Sequence, residues 1–268
     1  MQPLGIYPIR ALCRGTLLME LPTPDLRGML TTEARRTSAQ VYRDLFEDDP
    51  SRPKAWVLQG NIPPAMTPGG GFQVGFTAIG QPDVALSLLR LLKAVGTHWG
   101  FEVLEASSHG RVLREGIAPT SVTDDDLLAR ASGIGADIHF EFISPCSILF
   151  SGKQGYERIT GQELDLRDLL RAAHNRIAFL GRIHAPLKAY GHSTRMDVPV
   201  LPSDHDIRFV RWRRWSERQE RAVPLAGFMG HATYHCDLPL ETKCQLVLCK
   251  WTGIGKSTTR GLGRMKVG

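Results

Sequence analysis

The apolar spacing of this 268-residue chain runs through one cycle of elements and then runs through it again. In the first half, residues 9–21 (IRALCRGTLLMEL) read as a strand that Pro22 and Pro24 end. Thr31 or Thr32 is placed to cap a helix through Phe46, with Glu33 in the first turn, where the positive helix end favours a carboxylate. Pro50 and Pro53 break the next stretch, residues 55–58 read as a short strand, and 63–71 (PPAMTPGGG) as a loop. A strand over 72–79 follows. Pro82 then opens a helix with Ala85, Leu88, Leu89, Leu92 and Val95 at helical spacing. The segment 96–100 (GTHWG) turns the chain into a strand at 101–106. The second half repeats the order. A strand over 137–150 is interrupted at Pro145. An amphipathic helix spans 164–183, with Leu166, Leu169, Leu170, Ala173, Ile177 and Leu180 on one stripe. Strands at 205–215 and 222–236, a short helix at 240–248, a glycine-rich loop at 253–263 and a strand at 264–267 complete it.

Strand, helix, two strands, helix, glycine turn, strand is the split βαβ order. Two such cycles predict an α+β protein of two tandem ferredoxin-like (RRM-like, βαββαβ) domains, at residues 1–115 and 137–268. The polar stretch 116–136 reads as a connector. At 42% hydrophobic residues the chain can bury a core of that size. No run approaches the roughly 20 apolar residues of a membrane helix. Residues 1–14 lack the ordered regions of a signal peptide. The five cysteines, Cys13, Cys146, Cys236, Cys244 and Cys249, are odd in number, which fits reduced thiols in a cytoplasm.

Net charge is +6, and its placement says more than its size. From Val200 onward there are 12 Lys+Arg against 6 Asp+Glu, while the rest of the chain holds 21 of each. A localised basic field points to a polyanionic partner. Within it, residues 207–221 (IRFVRWRRWSERQER) carry six arginines interleaved with Trp212 and Trp215. Guanidinium forks match phosphate oxygens and indoles offer stacking faces, so Arg211, Arg213, Arg214, Arg218 and Arg221 are candidate RNA contacts. The tail 253–263 (GIGKSTTRGLG) adds four glycines, the cations Lys256 and Arg260, and the hydroxyls of Ser257, Thr258 and Thr259. Successive amides in such a turn can form an anion nest around Gly255, and Arg264 follows directly. The Gly-Lys-Ser triplet is not a P-loop. Five residues before Gly255 the motif needs glycine and the chain has Lys250, and little chain remains for the helix and parallel sheet that a P-loop opens. A solvated charged face over two core tryptophans, followed by a plain glycine turn, is the alternative for both segments.

These residues resemble a known family. The tail 253–267 (GIGKSTTRGLGRMKV) looks like the C-terminal glycine-rich signature of RAMP-superfamily CRISPR proteins, and more closely that of the CRISPR precursor-RNA processing endoribonucleases. Their upstream pattern, an aromatic, Ser-x-Arg-Gln and then Pro-Leu-x-Gly-x-x-Gly, is matched by Trp215-Ser216-Glu217-Arg218-Gln219 and 224–230 (PLAGFMG). The helix 166–180 (LRDLLRAAHNRIAFL) resembles the first helix of their second domain, and Leu26-Arg27-Gly28 the Arg-Gly that opens their first helix. The resemblance is specific from Trp215 onward and loose before Asp137. It implies a protein of the prokaryotic cytoplasm that needs no cofactor or metal. It also implies binding of a CRISPR repeat RNA or crRNA stem-loop, and metal-independent cleavage by the upstream 2′-hydroxyl, leaving a cyclic phosphate and a 5′-hydroxyl. The product would stay bound, together with other effector-complex subunits. A non-catalytic crRNA-binding RAMP subunit is the other reading.

Such cleavage needs a base, an acid and cations for the developing charge. Many members of the family place a histidine early, but here none precedes His98. The matching region offers Arg27, Arg35, Arg36 and Tyr42, and arginine stabilises charge but is a poor base. His231, between the arginine segment and the glycine loop, and His192, in a loop after Gly191, are the candidate bases. His98 lies in the first glycine turn, and His139 and His174 read as strand and helix residues. His231, His235, Cys236, Cys244 and Cys249 bring zinc to mind, but no C-x-x-C pair supports it.

Overall fold

A computed structural model of the chain describes residues 3–17, 19–20, 26–47, 54–60, 65–114, 117–148, 163–190, 196–216 and 221–268, with the backbone alone at 19, 20, 65, 212–216 and 221–224. Contacts cluster it into two compact units. The first holds Met1–Asp124, Arg182–Pro186 and Thr259–Gly261, and the second Asp125–Gly181, Leu187–Thr258 and Leu262–Gly268. Among the described residues no helix is long and apolar enough to cross a membrane.

The first unit runs β1 (Ile6–Gly15), β2 (Met19–Glu20), α1 (Leu26–Thr37), α2 (Ala39–Phe46), β3 (Trp56–Leu58), β4 (Ala65–Met66), β5 (Gly71–Ile79), α3 (Pro82–Trp99), β6 (Phe101–Ser108) and β7 (Arg111–Val112). Its antiparallel sheet has the order β3-β5-β1-β6-β7. Without the terminal hairpin strand β7, that is the ferredoxin-like order. Period-two alternation drives β1: Ile9, Ala11 and Cys13 are buried while Arg10, Leu12 and Arg14 face solvent. Helix α3 covers the sheet with Ala85, Leu88, Leu89, Leu92 and Val95, the stripe expected from spacing. Each of the leucines and Val95 contributes roughly 1.5–3 kcal/mol on burial. Pro82 occupies the first turn of α3, and Gly100 ends it in the left-handed region at φ 70°.

Two local expectations are corrected. The helix expected from Thr31 or Thr32 to Phe46 is two helices, and the first opens at Leu26. Ser38 divides them: its Oγ accepts from the Val41 amide at 3.3 Å, a cap that offers the backbone an alternative to continuing α1. The opening at Leu26-Arg27-Gly28 is the one implied by the family resemblance. The polar stretch 116–136 is also not all connector, because Asp124–Ser132 forms α4 and buries Leu127 and Ala131.

The second unit continues with β8 (Asp137–Cys146), α5 (Leu166–Leu180), β9 (Asp204–Ser216), β10 (Arg221–His235), α6 (Leu240–Thr252) and β11 (Met265–Val267). Its sheet order, β11-β8-β10-β9, is again ferredoxin-like and antiparallel. The α+β architecture of two ferredoxin-like folds read from the sequence is therefore borne out. Phe140, Phe142, Phe228 and Tyr234 form the aromatic side of this core, with Phe142 and Phe228 edge to face at 4.8 Å. The Tyr234 hydroxyl donates to the Leu164 carbonyl at 2.8 Å. Arg176 on α5 donates twice to the Thr252 carbonyl, at 3.0 and 3.1 Å, at the end of α6. Burial pulls that guanidinium down to about 10.

Asp165 caps α5. Burial pushes its carboxyl up, but hydrogen bonds from the Arg167 side chain and amide and from the Val200 amide outweigh this and hold it below its usual value. A depressed folded value means stability that is present above the unfolded pKa and is lost as pH falls through the folded one. Asp165→Asn should therefore be less stable than the parent at pH 7, with the gap closing below about pH 4. Urea unfolding across pH checks this, and a gap independent of pH refutes it.

Candidate nucleic-acid interface and catalytic residues

Strand β9 pairs with β10 along its whole length, from Asp204↔Thr233 to Ser216↔Arg221. β8 pairs with β10 only as far as Cys146↔Phe228. Beyond that point residues 210–216 and 221–227 continue as a two-stranded ribbon. Arg211, Arg213, Arg214 and Arg221 all lie on it. Arg211 is exposed, its guanidinium 5.3 Å from the Phe209 ring centroid. Arg213, Arg214 and Arg221 are placed by backbone register, opposite Pro224, Val223 and Ser216. Arg218 lies outside the described residues. The glycines of the family-like 224–230 segment have a mechanical reason. A Cβ at Gly227 would meet the Cys146 carbonyl oxygen at 2.7 Å. One at Gly230, where φ is 118° and the register shifts, would meet Asp206 O at 1.8 Å.

The glycine loop is held by its own backbone. The Ile254 amide donates to Gly263 O at 2.9 Å, Lys256 to Ser147 O at 3.0 Å and Gly263 to Pro145 O at 3.0 Å. Gly255 and Gly263 have φ of 75° and 72°, and a Cβ on either would press into a carbonyl, Ser147 O at 2.3 Å or Ile254 O at 2.0 Å. Those glycines let the loop pack against the end of β8. The amides of Ile254, Lys256 and Gly263 thus serve the loop rather than an anion nest. Lys256 is exposed, Ser257 adopts φ 60°, and Thr258 is buried. Arg260 and Arg264 are half-buried, and the Arg264 amide donates to Ser144 Oγ at 2.9 Å.

His231 sits on β10 with Nε2 3.5 Å from Asp204 Oδ2 and its ring 5.8 Å from that of His139. His139 Nδ1 is 3.1 Å from Thr233 Oγ1, and His235 Nδ1 is 2.7 Å from Asp137 Oδ1. These side chains share the strand face opposite the core. His192 lies outside the described residues.

In the first unit, Arg27 is half-buried in the first turn of α1. Arg35, exposed near its end, donates to the Tyr42 hydroxyl at 2.9 Å and lies 4.7 Å from that ring's centroid. Beside it is a constellation that local sequence patterns do not disclose. Arg36 Nη2 is 3.2 Å from Glu33 Oε1 and 2.7 Å from His98 Nε2. His98 Nδ1 is 3.5 Å from Glu33 Oε2 and 2.8 Å from the Ala94 carbonyl oxygen. Glu33 is 8% exposed, against 42% for His98 and 58% for Arg36. The one sequence hint was a histidine before the glycine that ends α3.

Residues 140–265, just under half of the chain, match the model of the family described as CRISPR-associated endoribonuclease Cas6. No curated protein sequence matches the chain. Among solved structures, Thermus thermophilus Cas6 superposes with a TM-score of 0.63 at 16% identity, over 100% of this chain and 99% of that one. A Cas6 product complex gives 0.62 at 18% identity over 98% of both chains. A partial Cas6-RT-Cas1–Cas2 complex gives 0.66 at 13% identity, over 98% of this chain and 46% of that one. At these identities the superpositions establish a shared fold. The resemblance read from the residues is thus borne out: over 140–265 the chain carries the Cas6 family pattern, on a fold that its whole length shares with Cas6 structures.

Proposed function

We propose that this protein is a CRISPR precursor-RNA processing endoribonuclease that binds repeat RNA and cuts it without a metal ion. The observation that carries the reading is an overlap. The segment that matches the Cas6 family model, 140–265, also contains the arginine ribbon and all of the chain's excess positive charge, with 19 Lys+Arg against 12 Asp+Glu. Phosphate contacts supply most of the affinity of such a surface, and exposed bases stack on aromatic rings. Arg211, Arg213, Arg214, Arg218 and Arg221 hold the RNA, with Lys256, Arg260 and Arg264 beside the glycine loop. Relatives of the same fold described as product and substrate-mimic complexes support the substrate class.

The upstream 2′-hydroxyl attacks the scissile phosphorus, and the bond to the 5′ oxygen breaks. Of the residues singled out in the sequence, Arg27 and Arg35 are cations for the phosphorane, and His231 and His192 are groups able to accept a proton. The product stays bound and carries the protein into an effector complex.

The missing early histidine favours a second reading, a RAMP subunit that binds guide RNA without cutting. Incubation with labelled repeat RNA in EDTA separates the two. Cleavage to a single product with a cyclic phosphate end is expected. Tight binding with the RNA left intact would leave only the second reading.

A further inference from the structure

We propose that His98 is the general base of this cleavage, held by Glu33 and unmasked when the scissile phosphate draws Arg36 away. The inference rests on the endoribonuclease reading above and names for it a base that the sequence left open.

The Ala94 carbonyl selects the tautomer, and Arg36 stands nearer the other ring nitrogen. The Ala94 carbonyl can only accept, so Nδ1, at 2.8 Å, carries the hydrogen. The Arg36 guanidinium, which can only donate, stands 2.7 Å from Nε2 and 3.3 Å from Nδ1, nearer the nitrogen that the Ala94 bond leaves as acceptor. Nε2 is thereby the ring nitrogen nearer a cation on an exposed surface. A phosphate is a stronger acceptor for that cation than an imidazole, because the bond becomes charge-assisted on both sides and bidentate. Binding of the scissile phosphate moves Arg36 onto it and frees Nε2.

Nε2 then takes the proton of the 2′-hydroxyl as O2′ bonds to phosphorus. Arg36 neutralises the charge on the phosphorane oxygens. The P–O5′ bond breaks, O5′ takes a proton from water, and the imidazolium returns its own proton to solvent. Glu33, 3.5 Å from Nδ1 and nearly inaccessible, stabilises the imidazolium and keeps the ring oriented. Glu33 touches no reacting atom and is a positioning residue.

A purely structural tie between α1 and α3 is the competing explanation. Without His98 the buried Glu33 carboxylate keeps Arg36 at 3.2 Å as its partner. Loss of His98 would then leave folding nearly intact and have no reason to stop chemistry. His231 lacks this combination in one respect that bears on the choice: its carboxylate partner, Asp204, is 73% exposed and so orients the ring poorly.

The test is single-turnover cleavage of repeat RNA in EDTA by the full chain. His98→Ala should cut about 10²–10⁴-fold more slowly, while its affinity for RNA with a 2′-deoxy block at the cleavage site stays within about threefold of the parent. Added imidazole should restore part of the rate. A substrate with a bridging sulfur at the 5′ position, whose leaving group needs no acid, should not restore it. Glu33→Gln should lower kcat and leave KM unchanged. Cleavage by His98→Ala within about threefold of the parent overturns the proposal. So does equal loss of binding and cleavage, or full rescue by the bridging sulfur, which would make His98 the acid. If His231→Ala alone abolishes cutting, the base lies on β10 and the endoribonuclease reading survives. If the parent protein binds repeat RNA and never cuts it, the endoribonuclease reading itself fails and takes this inference with it.

Discussion

Gly263→Ala is expected to destabilise the protein by about 3–5 kcal/mol, and Gly69→Ala by only about 1–2 kcal/mol. Both positions have a left-handed backbone, with φ of 72° and 81°. Any L side chain there carries the same intrinsic penalty. What differs is the space around them. A Cβ at Gly263 would stand 2.0 Å from the Ile254 carbonyl oxygen, whereas at Gly69 nothing lies within 4 Å. The Ile254 carbonyl cannot retreat cheaply. The Ile254 amide donates to Gly263 O, the Gly263 amide donates to Pro145 O, and the Ile254 side chain is fully buried. For chains of this size the larger loss lowers Tm by on the order of 10–20 °C. Thermal unfolding of the two variants side by side measures the clash alone, because the backbone penalty cancels. Equal shifts would mean that the loop is not packed as described. The same geometry gives the glycines at 255 and 263 a role in folding.

Replacing Arg211, Arg213 and Arg214 together by alanine should weaken binding of repeat RNA about 10–100-fold at ~0.1 M salt and flatten the salt dependence. Each phosphate neutralised contributes about 0.7–0.9 to the slope of log affinity against log salt, so three lost contacts lower it by about 2–3. The triple substitution falls on the ribbon of β9 and β10 that continues past the last pairing of β8 with β10. Arg14→Ala is the control. That guanidinium is on the first unit's sheet and already paired with Glu102, and its loss should leave affinity and slope unchanged. Titrations at several salt concentrations decide the matter. A parallel downward shift with unchanged slope would show that the arginines support the ribbon rather than neutralise phosphate.

Much of the fold was legible because its signals are local. The buried stripes of α3 and α5, Pro82 and Gly100 at the ends of α3, and the alternation in β1 each depend on neighbours within a few residues. The α1 boundary was misjudged because two cap signals compete within one stretch, Thr31 or Thr32 against Ser38, and packing of Leu26, Met29 and Leu30 decided between them. Burial of Leu127 and Ala131 likewise raised a polar stretch into a helix.

The candidate site divides along the same line. The basic ribbon and the glycine loop are each contiguous in sequence, so charge, glycine spacing and family resemblance all mark them in the sequence itself. The sequence alone therefore determined the two βαββαβ cycles and the end of the chain that carries the excess charge. Only the tertiary structure decided which histidine meets a carboxylate and a guanidinium. Arg36 and His98 are 62 residues apart, and no periodic pattern links them. They meet because α1 and α3 pack against each other and bring the last turns of both helices together. That contact is a property of helix packing on a shared sheet, which a linear pattern does not encode.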